Sequence, residues 1–469
     1  QRKSCSRSKG IASKNARALS PCTWCETSMK VLIIGSGARE HAIADACGRS
    51  ESRPKLVIYG LSRNPGLAST ASQYEVADSF EPSRVVAFAQ KTGAEMAIVG
   101  PEAPLAIGVV DELLKAGIAT VGPTQAAARI ETSKSFTREL LQEEDLPVYP
   151  TFAVVTDERG LDKWLSQYDG EFVVKPDGLT GGKGVKVQGD HFSTKEEGRT
   201  YALKCLHKDG RVVVEEKLIG QEFSLMSFSD GTHASHMPVV QDNKRLRSGD
   251  QGPNTGGMGS VSDANHSLPF LSPRDIEQAQ KTNEQVIQAL KARGLEYKGI
   301  LYGNFMAVSD GIRLVEYNAR FGDPEVMNVL SILESDFIEI CQAVVDGTLD
   351  MVTPRFASEA VVCKYLIPEG YPENPVKNKK IDLNKVDTRQ VSIYYGAVEE
   401  GNRGLYLTGS RAVALVGKGR TIAEAEKLVE EEIAKVTGPV THRADIGTAA
   451  LTEKRTAAMQ ELRQTVGVA

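Results

Sequence analysis

Residues 173–187 read Val-Val-Lys-Pro-Asp-Gly-Leu-Thr-Gly-Gly-Lys-Gly-Val-Lys-Val, a loop with four glycines between two apolar runs. Lys183 is followed by Gly184 rather than by Ser or Thr, and the next run is strand-like rather than helical, so this is not a Walker loop. A glycine-rich hairpin predicts a mobile flap whose amides close over phosphates, with Lys175 and Lys183 neutralising their charge. The alternative is a merely flexible surface turn, which would leave the two flanking lysines as a coincidence.

Before this flap, short apolar runs alternate with amphipathic stretches. The runs at 31–34, 56–59, 96–99 and 118–121 are separated by helical-period segments near 38–48, 83–91 and 105–116. This alternation predicts a βαβαβαβ unit with a parallel, Rossmann-like sheet.

The order of elements changes after about residue 128. A helix near 132–144 precedes strand candidates at 151–155, 171–175, 185–188, 212–216 and 222–229, and a turn at 309–311 joins strands 301–308 and 312–318. This mixture predicts α+β domains with antiparallel sheets. Later strands at 391–395, 405–407 and 412–416 and a helix at 422–436 indicate a small C-terminal α+β domain. We therefore expect domains at 29–128, 129–354 (with a mobile lobe at about 151–218) and 355–469.

Composition excludes several classes of protein. The 469 residues carry a formal charge of −5, which argues against a basic nucleic-acid binder, and no apolar stretch is long enough to span a membrane. Seven cysteines, several scattered through periodic segments, indicate reduced thiols and a cytoplasmic location. Residues 1–28 are basic and Ser-rich without an apolar core, so a disordered or non-native tail before a start at Met29 is expected. A transit peptide is the alternative.

Two loops follow strands of the predicted parallel sheet. Residues 35–41, Gly-Ser-Gly-Ala-Arg-Glu-His, open a helix whose N-terminus could hold a phosphate. Glu40 stands where a dinucleotide fingerprint has its third glycine, so a tight turn is an equally good interpretation. Residues 99–105, Val-Gly-Pro-Glu-Ala-Pro-Leu, close the third predicted strand. Both loops lie where open α/β sheets bind ligands.

Three further constellations follow the flap. Residues 212–218, Val-Val-Val-Glu-Glu-Lys-Leu, offer backbone groups to an adenine edge, and Glu222 could accept from ribose hydroxyls. Residues 241–259 combine glycines with Asp242, Lys244, Arg245 and Asp250, a set that could bind a zwitterion or a phosphate, or simply form a solvated loop.

The last constellation, residues 314–325, reads Leu-Val-Glu-Tyr-Asn-Ala-Arg-Phe-Gly-Asp-Pro-Glu. Strand alternation places Glu316 and Asn318 on one face, and two oxygen donors at this spacing suit magnesium. Arg320 follows in a glycine-containing loop and predicts anion binding. Asp323 and Pro324 alternatively form a helix N-cap and first turn.

In this order the features resemble the ATP-grasp ligases and, among them, the phosphoribosylamine–glycine ligase family. The resemblance covers about residues 29–451 through segments 35–41, 99–105, 122–124, 133–136, 252–259, 318–325 and 443–447. Segments 252–259 and 318–325 are the most specific. Pro176 in place of Ala, the order of residues 63–66 and the segment beginning at Lys364 depart from the usual pattern and bear on lineage.

The resemblance implies that ATP, with Mg²⁺ or Mn²⁺, drives the ligation of glycine to 5-phosphoribosylamine through glycyl phosphate. It assigns Arg320 and Lys183 to catalysis, and Glu316 and Asn318 to the metal. It assigns ATP binding to Lys134, Lys175, Lys183, Glu215, Glu216, Leu218 and Glu222. It assigns substrate binding to Gly37, Arg39, Glu40, Pro101, Glu102, Asp242, Lys244, Asp250, Asn254, Thr255, Arg320, Gly322 and Asp323.

Two other functions remain open at this point. Another ATP-grasp carboxylate–amine ligase or a carboxylase would share the ATP and metal groups but differ in loops 35–41, 99–105 and 252–259. An ATP-sensing module without turnover would not need Lys183, Glu316 and Asn318 together. The expected partners are glycine and 5-phosphoribosylamine, with no nucleic acid and no membrane, in a monomer or weak homo-oligomer.

Overall fold

The structure is a computed structural model that describes residues 28–179 and 184–464. Lys183 therefore lies outside the described residues, and so does the tail before residue 28 with its cysteines. No helix within the described ranges is long and apolar enough to cross a membrane.

The strands, in chain order, are β1 Lys30–Ile34, β2 Lys55–Gly60, β3 Ala71–Val76, β4 Met96–Val99, β5 Ala119–Val121, β6 Phe152–Val155, β7 Phe172–Pro176, β8 Lys186–Val187, β9 Val212–Glu216, β10 Gln221–Asp230, β11 Ala234–His236, β12 Gln241–Asp242, β13 Arg245–Arg247, β14 Gln251–Asn254, β15 Gly259–Ser262, β16 Lys298–Val308, β17 Gly311–Asn318, β18 Ala360–Pro368, β19 Lys380–Ile381, β20 Val391–Tyr395, β21 Val398–Gly401, β22 Gly404–Leu407, β23 Val413–Gly419 and β24 Val440–Thr441.

The helices are α1 Ala38–Gly48, α2 Pro65–Thr70, α3 Pro82–Thr92, α4 Glu102–Ala106, α5 Val109–Lys115, α6 Arg129–Thr132, α7 Lys134–Glu143, α8 Glu158–Gln167, α9 Lys195–Asp209, α10 Pro273–Ala292, α11 Glu325–Ser331, α12 Phe337–Asp346, α13 Ile422–Ile433 and α14 Ala449–Gln464, with a 3-10 turn at Leu349–Met351.

The N-terminal strands form one parallel sheet in the order β3-β2-β1-β4-β5. Alternate residues of β1 enter two different hydrophobic cores: Leu32 packs on the side of α3 and α5, and Ile33 on the side of α1. Burial on both faces explains why β1 and β4 are continuous apolar runs. The predicted parallel α/β domain is confirmed.

Three elements of this domain differ from the sequence prediction. The sequence pattern misses α2 and β3, because β3 is an edge strand whose residues, Ala-Ser-Gln-Tyr-Glu-Val, are half-buried or exposed and form no apolar run. The single helix expected near 105–116 is two helices, since Gly108 adopts a left-handed φ of 80° between α4 and α5. In the next domain, the helix expected near 132–144 is present as α7, and the short helix α6 just before it is not expected from the sequence.

Two antiparallel sheets follow, as the sequence predicts. The order β11-β10-β16-β17 forms the central sheet, which contains the predicted hairpin as β16 and β17, and α10 packs against it. The order β6-β9-β7-β8 forms a smaller sheet in a lobe with α8 and α9. The glycine-rich segment connects β7 to β8, and its residues 180–183 lie outside the described part of the chain.

The C-terminal region shares a sheet with the segment around residues 241–262. Strands β12 and β15 continue through β18 into β23 and β20, while β19, β22 and β21 form a separate small sheet. Helix α13 covers the shared sheet, and α14 returns to the central core, where Met459 is buried. The shared sheet holds loop 252–259 against C-terminal residues, and this arrangement brings C-terminal side chains to the site.

Candidate active site

One cleft of about 720 Å³ lies between the N-terminal sheet, the small lobe, the central sheet and the C-terminal region. It is lined by most of the residues singled out in the sequence: Arg39, Glu102, Lys134, Lys175, Glu215, Glu216, Leu218, Glu222, Asp242, Lys244, Asp250, Asn254, Thr255, Glu316, Asn318, Arg320 and Asp323. Four other described candidates, Gly37, Glu40, Pro101 and Gly322, are not among its lining residues.

Glu40 is used within its own loop. Its carboxylate accepts from the Gly37 amide at 2.6 Å and from Arg39 Nε at 2.7 Å, and the side chain is 2% exposed. A Cβ on Gly100 would lie 2.0 Å from Glu40 Oε1, so Gly100 leaves room for the carboxylate. Because an internal acid takes the amide and positive end of α1 that a phosphate would need, we interpret Glu40 as a support for Arg39, not as a substrate ligand.

At the end of the cleft beside the small lobe, two buried cations share one carboxylate. Glu215 pairs with Lys175 and accepts from Arg138 Nε at 2.8 Å. Lys175 Nζ and Arg138 also each donate to the Val315 carbonyl at 2.9 Å. Burial lowers the pKa of Lys175, although Glu215 opposes that effect. Glu215 thus neutralises cations, and one net positive charge remains for an anion in the cleft.

Lys134 begins helix α7 beside the base of the glycine-rich loop. Ser133 caps the helix by accepting from the Phe136 amide, and Asp177 of the loop accepts from the Ser135 amide at 2.6 Å. Lys134 Nζ donates to the Gly178 carbonyl at 3.3 Å. The helix N-terminus therefore anchors the start of the loop and carries Lys134 to the same end of the cleft as Lys175.

Glu316 and Asn318 both line the cleft from β17. Within the described residues the Glu316 carboxylate makes no hydrogen bond or ion pair. Burial opposes its ionisation, but nearby cations, led by Lys244 and Lys134, outweigh burial and lower its pKa. Asn318 Oδ1 accepts from Arg320 at 3.0 Å. A free, ionised carboxylate beside an amide oxygen fits the hard-oxygen ligand set of a divalent cation.

Glu222 is a candidate for the second carboxylate, which the sequence pattern alone could not place. It accepts from Asn304 at 3.3 Å and from Lys244 Nζ at 3.0 Å, and Asn304 lies directly opposite Glu316 on β16. Burial opposes the ionisation of Glu222, but Lys244 outweighs it and the pKa is lowered. Glu222 thus lies beside Glu316 at the β17 side of the cleft.

Arg320 lies between two acids with one donor unused. Its NH2 is 3.2 Å from Glu131, and its Nε is 3.7 Å from Glu102, too long for a hydrogen bond. Nε is buried and has no hydrogen-bond partner within the described residues. Burial opposes the charge of Arg320, but Glu131 and Glu102 outweigh it and raise the pKa. A buried, charged donor without an acceptor is costly, and an anion in the cleft would satisfy it.

Asp242 carries a buried acceptor without a donor, just as Arg320 carries a buried donor without an acceptor. Its Oδ1 is buried and has no hydrogen-bond partner in the described chain. Burial and then Glu325 raise its pKa well above the ordinary value, while Lys244 and Arg411 oppose this. A cationic donor in the cleft would favour the ionised form of Asp242 and so offset the effects of burial and of Glu325.

Two other candidates, Asp323 and Thr255, already make hydrogen bonds to neighbouring protein groups. Asp323 accepts from Tyr365 at 2.6 Å and from Arg411 at 2.7 Å, so the alternative that it caps a helix is wrong; α11 begins after Pro324 without a side-chain cap. Thr255 Oγ1 donates to the Lys244 carbonyl at 2.9 Å and thereby braces the loop.

Asp250 is held by two buried arginines. It adopts a left-handed φ of 59° and accepts from Arg443 at 2.7 Å and from Arg455 at 3.1 Å. Arg455, on α14, also donates to Gln241 at 2.7 Å and to Asn243 at 2.8 Å. These contacts fix the hairpin of β13 and β14 at the rim of the cleft. The cleft residues that the sequence pattern does not single out include Glu131, Arg138, Tyr302, Glu325, Arg411 and Arg455.

Three family models match consecutive parts of the chain. They are the phosphoribosylglycinamide synthetase N domain over residues 29–131, the ATP-grasp (A) domain over 132–326 and the C domain over 361–449. A phosphoribosylamine–glycine ligase of Methanocella arvoryzae is 47% identical over 436 residues, which cover 93% of this chain and 100% of that protein. The ligase of Pyrococcus horikoshii is 44% identical over 92% of this chain and 98% of its own.

Solved structures share the fold. The phosphoribosylamine–glycine ligase of Thermotoga maritima superposes with a TM-score of 0.76 at 28% identity, over 89% of this chain and 100% of that one. The biotin carboxylase domain of Hydrogenobacter thermophilus 2-oxoglutarate carboxylase superposes with a TM-score of 0.70 at 14% identity, over 92% and 97%. The second similarity concerns the fold alone. The predicted ATP-grasp architecture, flanked by N-terminal and C-terminal domains, is confirmed.

Proposed function

The chain belongs to the phosphoribosylglycinamide synthetase family, and from this premise we propose that it ligates glycine to 5-phosphoribosylamine at the expense of ATP. The products are glycinamide ribonucleotide, ADP and phosphate, a step of purine biosynthesis. The observation that carries the proposal is the pair of unsatisfied groups in one cleft, Arg320 Nε and Asp242 Oδ1. A donor for an anion and an acceptor for a cation suit a small zwitterion.

ATP lies, in this proposal, at the end of the cleft beside the small lobe. Lys134 and Lys175 contribute positive charge there, with Lys183 on the glycine-rich loop. Glu216, the last residue of β9, and Leu218, two residues later, offer backbone groups to the base. Fixed cations in a cleft stabilise the charge that develops on transferring phosphate without having to reorganise.

The residues present also fit a divalent cation, as ATP-grasp ligases require. Glu316 and Asn318 would hold it, with Glu222 as the second carboxylate, and we propose Mg²⁺ or Mn²⁺. When bound, the cation supplies charge neutralisation for the phosphates. The low pKa of Glu316 keeps its carboxylate ionised and ready to bind at neutral pH.

Glycine then binds with its carboxylate toward Arg320 and its ammonium group toward Asp242. The carboxylate oxygen attacks the γ-phosphate, which forms the acyl phosphate and releases ADP. The amine of phosphoribosylamine next attacks the acyl carbon, the C–N bond forms and phosphate leaves. Arg39 and Glu102, at the carboxyl ends of the N-terminal strands, lie beside Arg320 and would orient this second substrate. Because an acyl phosphate hydrolyses in water, the intermediate must be shielded from solvent within the cleft until the amine attacks.

Phosphate release in the purified protein tests this function. ATP is supplied with glycine, with phosphoribosylamine, with both or with neither, and with bicarbonate or alanine in place of glycine. We expect sustained phosphate release and amide product only with both substrates. Equal turnover with bicarbonate would indicate a carboxylase, and ATP binding without any turnover would indicate a sensing module.

We further propose that the enzyme acts in the cytoplasm as a monomer or weak homo-oligomer. Cys47, Cys205, Cys341 and Cys363 are free and buried, which suits a reducing compartment, and every cleft residue named above comes from one chain. Sedimentation at micromolar protein with and without ATP would test the oligomeric state. A stable dimer with full activity only as the dimer would contradict it.

A further inference from the structure

A C-terminal side chain, Arg411, reaches the cleft from outside the central domain. It precedes β23 in the C-terminal region, and its side chain is 15% exposed. Its backbone is pinned because the Arg411 carbonyl accepts from the Ala397 amide at 2.8 Å. Burial opposes the charge of Arg411, but Asp323 outweighs it, so the pKa is raised and the guanidinium stays charged.

The guanidinium of Arg411 joins the two loops that carry the substrate groups. NH1 donates to the carbonyls of Gly256 at 2.7 Å and Gly257 at 3.0 Å, which belong to loop 252–259. NH1 also donates to the Asp323 carbonyl at 3.0 Å, and NH2 donates to the Asp323 carboxylate at 2.7 Å, in the loop after β17. The guanidinium of Arg411 therefore holds loop 252–259 and the loop after β17 at a fixed distance from each other, although the two loops are far apart in sequence.

Tyr365 fixes the orientation of this guanidinium by packing its ring against it. The Arg411 guanidinium carbon lies 4.6 Å from the centroid of the Tyr365 ring, and the Tyr365 hydroxyl donates to the other oxygen of Asp323 at 2.6 Å. A planar fork can serve acceptors on both sides at once, whereas a lysine ammonium on its flexible stem cannot reproduce this geometry. The position requires arginine for its shape as well as for its charge.

The link extends to the unsatisfied acid of the cleft. Gly257 adopts a left-handed φ of 110°, and a Cβ there would lie 2.7 Å from Asp242 Oδ1. The peptide that Arg411 holds thus forms the wall beside the free oxygen of Asp242. We propose that Arg411 is a positioning residue for the glycine subsite: it fixes Gly257 and Asp323 so that the Asp242 carboxylate faces the ammonium group of the substrate. This inference rests on the proposed function.

The test compares KM for glycine with KM for ATP in Arg411→Lys and Arg411→Met. Both variants should raise KM for glycine by about tenfold or more, the loss expected for one charge-assisted hydrogen bond, with KM for ATP changed less than twofold. The matched control is Arg389→Met, which removes an arginine from the same region whose side chain is 86% exposed, and it should leave both constants unchanged. Tyr365→Phe, which removes a single hydroxyl, should raise KM for glycine by a smaller factor in the same direction.

Each outcome has one meaning. A parallel change in both KM values, or a lower melting temperature with unchanged kinetics, would show that Arg411 has only a structural role and would overturn the inference. If Arg411→Met does not fold, Arg411→Lys and Tyr365→Phe decide, and wild-type KM for glycine in both would refute it. Absence of glycine-dependent phosphate release in the wild type would instead refute the proposed function, since that assay does not involve Arg411 variants.

Discussion

Replacing His41 by asparagine should flatten the acid dependence of stability in this protein. His41 is partly buried in α1, its ring stacks on Tyr395 with centroids 5.6 Å apart, and Nδ1 accepts from the Tyr395 amide at 3.1 Å. Burial lowers the pKa of His41 from 6.5 to about 4, although Asp45 opposes this. The ring must therefore be neutral to hold β20 of the C-terminal region against the loop at 35–41.

The sign and size follow from proton linkage. Between pH 6.5 and pH 4 the unfolded chain carries a proton on His41 and the folded chain does not, so stability falls as the pH falls. The full difference is about 3.4 kcal/mol at about 1.36 kcal/mol per pKa unit, and about 2.4 kcal/mol of it is lost between pH 7 and pH 4.5. Asparagine offers an acceptor close to the position of Nδ1 and does not titrate.

Urea unfolding at pH 7 and pH 4.5, followed by circular dichroism, would measure the effect. The wild type should lose about 2.4 kcal/mol more than His41→Asn over this interval, even if the variant is less stable at pH 7. His207→Asn, at an exposed position on α9, should behave like the wild type. Because a chain of this size can unfold in stages, exchange of the Tyr395 amide provides a local measurement. Parallel loss of stability in wild type and His41→Asn would refute the reasoning.

Three further predictions concern the cleft. Glu316→Gln removes the charge that a hard cation prefers and should abolish turnover with the fold retained. Asn318→Asp keeps an oxygen ligand and should reduce turnover less. A wild-type kcat at low Mg²⁺ in Glu316→Gln would contradict this prediction. Lys183→Ala should lower kcat strongly while changing unfolding free energy within about 0.5 kcal/mol, and normal kcat with a collapsed melting temperature would favour a structural role. Arg138→Met leaves a buried carboxylate with fewer partners and should cost about 3 to 5 kcal/mol in urea unfolding, so a cost below about 1 kcal/mol would exclude the buried network described above.

The elements that the sequence predicts well include strands whose burial on both faces produces a continuous apolar run. Met96–Val99 is an apolar run buried on both faces, and Val212–Glu216 begins with three buried valines; the predicted and observed bounds of both strands agree. Strand β3 is not predicted because an edge strand needs no apolar run. The break between α4 and α5 is not predicted because the left-handed Gly108 leaves the helical period of the flanking segments intact.

The site is predicted by residue type but not by pairing. The sequence places Glu40, Glu215 and Asp250 among candidate ligands, because an acid in a glycine-rich segment looks the same whether or not a cation already neutralises it. Only the fold shows that Arg39, Arg138 and Arg443 occupy them. Glu316 is the opposite case. Its carboxylate has no hydrogen-bond or ion-pair partner in the described part of the chain, so it stays available to a ligand, as the sequence predicts.

The clamp on Asp250 imposes an order on biosynthesis. Asp250 and Arg455 are hydrogen-bonded across 205 positions, so a ribosome adding about 5 to 20 residues per second synthesises the β13–β14 hairpin roughly 10 to 40 s before this arginine exists. During that interval Asp250 has only solvent to satisfy it, and the rim of the cleft has no fixed shape. Assembly of the site is therefore a late event in vectorial folding, and a nascent chain that already binds nucleotide through its central domain would still be unable to ligate.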